Sequence, residues 1–119
     1  MKKNMKHALG EKTEYLGKIL VSKWGYSMRL VDFVDFYAVV EETDKTLLVE
    51  ELKSEEKGDG GYLTGHSNPT MVRTGEKFRV YKRERKDSGD KYLVSTFGSS
   101  VKKYPLVWDG RPVSFNHCD

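Results

Sequence analysis

The chain reads as an all-β domain, a small barrel of five or six strands. Three observations predict this. Runs rich in β-branched and aromatic residues recur along the chain, each ended by a cluster of turn-forming residues. Two of these runs, residues 34–40 and 46–52, flank the polar tip Glu41-Glu42-Thr43-Asp44-Lys45, which is the sequence form of an antiparallel hairpin. No stretch makes a strong helix; residues 8–16 come nearest, and Gly10 weakens them. A length of 119 residues suits one domain with one core, and two Trp, seven Tyr and five Phe are too many for a disordered segment.

Residues 1–16 have no clean period and are expected to be a flexible or weakly ordered segment ahead of a single domain at 17–119. Residues 17–24 form the first strand, with an apolar centre at Ile19, Leu20 and Val21. Gly25, between Trp24 and Tyr26, marks a bulge or a change of direction, and residues 28–32 form a loop. In the hairpin that follows, Phe36, Ala38 and Val40 share one face, while Tyr37 and Val39 share the other with Asp35 and Glu41. Apolar residues on both faces at the centre, giving way to acids at the ends, predict strands buried in the middle and exposed at their tips.

Residues 53–76 carry Gly58, Gly60, Gly61, Gly65 and Pro69, so they are expected to be a long irregular insertion with no regular element beyond one short strand. A second hairpin follows. Residues 77–85 alternate, with Phe78 and Val80 on one face and Arg79, Tyr81, Arg83 and Arg85 on the other; 86–90 have turn composition, and 91–97 return. Residues 106–108 and 111–115, joined through Asp109-Gly110, predict a short final ribbon. An OB barrel normally carries a helix between its third and fourth strands, where this chain is Gly-rich, so an SH3-like barrel is the favoured architecture.

The residues Lys18-Ile19-Leu20-Val21-Ser22-Lys23-Trp24-Gly25-Tyr26, then Val34-Asp35-Phe36-Tyr37-Ala38-Val39-Val40, and finally Val107-Trp108-Asp109-Gly110-Arg111-Pro112-Val113, form a pattern over most of 17–115. In this the chain resembles small uncharacterised all-β proteins encoded by bacteriophages and mobile elements. The resemblance implies a phage-related origin and carries no activity with it.

The net charge of +3 hides an uneven distribution. Residues 41–57 hold seven acids against three lysines, a balance of −4, and residues 73–103 hold ten bases against four acids, a balance of +6. Such asymmetry bears on partners. Arg79, Tyr81, Arg83 and Arg85, with Lys86, Lys91, Lys102 and Lys103 near them, offer phosphate contacts and a ring for base stacking, which points to DNA or RNA as a partner. The same residues also read as a solvated strand face. The alternative is a protein-interaction module acting on a host or phage protein through Glu41, Glu42, Asp44, Glu50 and Glu51, or through an aromatic groove at Trp24 and Tyr26. Tyr37 and Trp108 fit such a groove too, although large aromatics are the natural core of a small barrel.

Catalysis has little support. His7, His66 and His117 lie far apart, and His117-Cys118-Asp119 lacks the paired spacing of a structural zinc site, so neither metal nor cofactor is expected. Gly58 to Gly61 lack the lysine and helix of a phosphate-binding loop. Cys118, the one cysteine, excludes an internal disulfide. The longest apolar run, residues 36–40, falls far short of the roughly 20 needed to cross a bilayer, and the basic start lacks a following apolar stretch, so a cytoplasmic binding module without membrane contact is expected.

Overall fold

The computed structural model describes residues 13–25, 32–58 and 64–116, and among these it contains strands and no helix. In chain order the strands are β1 (Ile19–Gly25), β2 (Asp32–Glu42), β3 (Thr46–Gly58), β4 (Thr64–Glu84), β5 (Lys91–Val94), β6 (Leu106–Val107) and β7 (Val113–Asn116). All pairings are antiparallel, in the order β5-β4-β3-β2-β1-β6, with β7 also on β4. The all-β expectation holds, but the barrel does not. The sheet is open, because β5 spans four residues and β6 two, and these outer strands do not pair with each other.

The central hairpin β2–β3 is buried on both faces, as its alternation predicts. Tyr37, Val39, Leu47 and Val49 pack on one face with Leu20, Val80, Leu93 and Phe97. Val34, Phe36 and Leu52 pack on the other, covered by Trp108 and Val113. Each large apolar side chain so buried contributes about 1.5–3 kcal/mol, which is what an open sheet with two thin covers depends on.

The expected irregular insertion at 53–76 is instead the far end of the β3–β4 ribbon, except for residues 59–63, which lie outside the described residues. A straight strand of 21 residues would run about 69 Å. The molecule is only 52 Å in its longest dimension, so β4 has to bend. The register shows where: Glu50 pairs with Lys77, Leu52 with Arg73 and Ser54 with Pro69, so β4 gains two residues on β3 at each step. Threonines hold the extra residues. Thr70 Oγ1 donates to the Lys53 carbonyl and accepts the Val72 N–H, and Thr74 Oγ1 donates to Glu51 and accepts the Glu76 N–H. Gly65 is required by close approach, since a Cβ there would run into the Lys57 carbonyl oxygen.

The final ribbon is also absent. β6 pairs with β1 and β7 with β4, so the turn at Asp109 and Gly110 carries the chain from one part of the sheet to another. Asp109 Oδ1 accepts the Arg111 N–H and Trp108 Nε1 donates to the Arg111 carbonyl, closing the turn on itself and leaving both flanking strands to find other partners. Of the N-terminal segment, residues 1–12 lie outside the described residues, as do 26–31 with Tyr26; residues 14–16 are docked on β2.

Candidate nucleic-acid interface

The second hairpin sorts its side chains by the period of two. Phe78, Val80 and Lys82 of β4 point into the sheet's covered face, leaving Arg79, Tyr81 and Arg83 on the other. β5 stands in register with them: Val94 opposite Tyr81, and Tyr92 opposite Arg83. β5 ends at Val94, so the next β4 carbonyl, that of Arg79, has no strand partner. Ser95 supplies one. Its buried hydroxyl donates to the Arg79 carbonyl at 2.7 Å and accepts the Phe97 N–H at 3.0 Å, turning the chain sharply away.

The turn is strained and well supported. Phe97 has φ +48°, a left-handed conformation uncommon for a bulky side chain, and Gly98 follows at φ +81°. The Phe97 ring is fixed by stacking on Tyr37 with centroids 4.3 Å apart, and by an edge contact with Phe78 at 5.8 Å. The chain returns through a single bridge between Ser95 and Lys103, which brings Lys102 and Tyr104 back beside β4 and β5. Pro105 is buried and anchors that return.

These elements enclose a cleft of about 390 Å³. Arg79, Arg83 and Lys102 supply its charge, Tyr81, Tyr92 and Tyr104 its rings, and Phe97 and Gly98 one wall. No carboxylate lines it. The Arg83 guanidinium lies 4.9 Å from the Tyr81 ring centre and that of Arg85 5.2 Å from Tyr92, cation–π contacts that hold the charges at the rim. Among the described residues Arg79, Arg83, Arg85 and Lys102 form no ion pair.

Of the residues singled out in the sequence for nucleic-acid contact, Arg79, Tyr81, Arg83 and Lys102 are thus brought together. Arg85, Lys86 and Lys91 are exposed on the adjoining hairpin end. Lys103 is directed elsewhere, with its ammonium 3.9 Å from the Trp24 ring centre. Tyr92 and Tyr104 were missed. Tyr92 was available from the hairpin register, whereas Tyr104 depends on the bridge at Ser95, which no local pattern announces.

The acidic hairpin is used differently. Glu42 is buried and accepts the N–H groups of Glu14, Tyr15 and Leu16 at 2.9–3.1 Å and the Lys82 ammonium at 2.6 Å. Burial pushes its pKa up, but the hydrogen bonds from Lys82 and from the Tyr15, Glu14 and Leu16 backbone outweigh it, and the carboxyl lies below its ordinary range. Glu50, nearly buried, pairs with Arg73 at 3.1 Å. Burial, then the charges of Asp35 and Glu76, holds Glu51 above the ordinary range against a hydrogen bond from Thr74. Glu41 and Asp44 remain exposed.

The aromatic groove dissolves in part into structure. Tyr37 is core, with a hydroxyl that burial, Asp35 and Glu51 keep neutral, and Trp108 packs edge-on against Phe36 at 5.9 Å. Trp24 stacks on Phe33 at 4.6 Å and donates its Nε1–H to Asp35 at 2.8 Å. His66 and Ser67, expected in a loop, lie in β4. Among the described residues no group of His, Cys, Asp and Glu could hold a metal, and no helix is long and apolar enough to cross a membrane; His117, Cys118 and Asp119 lie outside them. Comparison of the chain with protein-family models, with curated proteins and with solved structures finds no match.

Proposed function

We propose that the protein is a non-catalytic, cytoplasmic binding module of phage or mobile-element type that holds nucleic-acid backbone on the β4–β5 face. The observation that carries this is the cleft with three cationic and three tyrosine side chains and no carboxylate, continuous with the exposed Arg85, Lys86 and Lys91. Cations not paired with a carboxylate are free to replace the counterions of a phosphate chain, and that exchange supplies sequence-independent affinity. By register the nearest acid of the first hairpin, Glu50, stands on the neighbouring strand opposite Lys77, where it is already paired with Arg73.

Fluorescence anisotropy with labelled DNA and RNA, between about 50 and 200 mM salt, tests the reading. Affinity is expected to fall steeply with salt, and the triple variant Arg79→Glu, Arg83→Glu, Arg85→Glu to abolish binding while its circular dichroism is unchanged. Salt-insensitive binding, or none to either polymer, would sink it. The protein-interaction alternative retains Glu41 and Asp44 as exposed acids and is favoured if nuclease-treated lysate yields one stoichiometric partner instead.

A further inference from the structure

Resting on that reading, we infer that the cleft takes an unpaired base: the ligand is single-stranded nucleic acid, with one base set against Tyr81 and Tyr104 and its flanking phosphates held by Arg79, Arg83 and Lys102. Backbone binding alone needs a basic surface. It does not need a concavity, and a duplex presents convex rails of phosphate with its base faces covered by their neighbours. A cleft of about 390 Å³, within the roughly 300–1,000 Å³ of small-molecule sites, is instead of the size for a single planar group.

The rings are available for it. Tyr81 is 41% and Tyr104 59% exposed, in contrast to Tyr37 at 4%. Tyr92 and Tyr104 meet at 51° with centroids 6.0 Å apart, forming a corner and not a closed stack. Arg83 covers one side of Tyr81, and its guanidinium is at once a phosphate donor and a stacking plane. The absence of a carboxylate selects for an anion, and the exposed rings select for one carrying a flat π face; an unpaired nucleotide is both. The wall is also built at a cost. A left-handed Phe97 is retained because Ser95, Tyr37 and Phe78 hold it, and strain maintained beside a cleft is where a binding site is expected.

The test compares three labelled probes of equal length on the full chain: a single strand, the corresponding duplex, and an abasic strand with its phosphates intact. The single strand is expected to bind at least tenfold tighter than either of the others. Tyr81→Ala and Tyr104→Ala are each expected to weaken it by about 5- to 150-fold, the range for one stacked base, with an unchanged salt slope, while Tyr81→Phe and Tyr104→Phe retain binding and control for folding. Equal affinity for the single and abasic strands, or for single strand and duplex, overturns the inference and leaves backbone binding standing. Failure of all three probes overturns both. A free mononucleotide or polyglutamate that competes as well as the single strand also overturns it, by showing a small-molecule or an acidic-peptide site.

Discussion

The two charged hairpins, β2–β3 and β4–β5, spend their charges in opposite directions. On the first, Glu42 and Glu50 turn toward the protein, where Lys82, Arg73 and three backbone N–H groups meet them. On the second, Arg83 and Arg85 stay outside over tyrosine rings, Arg83 also donates to the Lys82 carbonyl, and Arg79 lines the cleft. Charge density alone made the two look equivalent as docking surfaces. The strand period separates them, because it sends Lys82 inward to the acid while sending its neighbours Arg79, Tyr81 and Arg83 outward together.

The sharpest way to break this comparison is to remove the buried acid. Glu42→Ala leaves the Lys82 ammonium with only the Thr43 carbonyl as acceptor and strips three N–H groups of theirs, and is expected to destabilise the fold by about 3–5 kcal/mol in urea denaturation. Arg85→Glu on the other hairpin is expected to stay within about 0.5 kcal/mol of the parent. Similar losses for both would mean that the basic face is structural as well. Ser95→Ala leaves the Arg79 carbonyl and Phe97 N–H without their partner, and is expected to cost about 1–3 kcal/mol by the same measurement.

Acid titration of stability sharpens the picture within the acidic hairpin. The folded pKa of Glu42 is depressed, so its contribution is full above the unfolded value of about 4.3 and is lost as pH falls through the folded one. Glu51 has the opposite sign: its folded pKa is raised, so its contribution is present below the unfolded value and lost as pH rises through the folded one. Glu51→Gln is therefore expected to be more stable than the parent at pH 7 by a few tenths of a kcal/mol, the size of an exposed charge interaction, and to lose that advantage below about pH 4. A variant equally advantaged at both pH values would show that the charge of Glu51 is not the cause.

The parts of the fold legible in the sequence are those where the period of two is intact, as in 34–52, buried on both faces at its centre, and 77–94, with one face exposed. There each residue's neighbour two positions away reports its face, and the basic half of the cleft followed from Arg79, Tyr81 and Arg83 alone. Residues 53–58 and 64–76 were opaque because their strand character is conferred by the partner ladder, with Gly65 placed where the ribbon needs close approach and Gly75 among the extra residues. Asp109-Gly110 carried a hairpin signal that β6 and β7 do not use, since a turn fixes a local reversal but not what the flanking strands bind. Tyr104 and the Phe97 wall depend on Ser95 meeting a carbonyl sixteen residues away, and such a contact leaves no periodic trace.

The separate pairings of β6 and β7 bear on how the molecule assembles. β1 to β5 form a meander in which each strand joins the next in sequence, so their contacts close short loops and are entropically cheap. β6 and β7 must return across the chain to β1 and β4, and only then do Trp108 and Val113 cover Phe36 and Leu52. The meander should therefore form before its second cover arrives, and amide protons in β6 and β7 should exchange with solvent ahead of those in β2 and β3. A late-docking C-terminal cover also makes the face bearing Phe36 the one exposed in a partly folded chain.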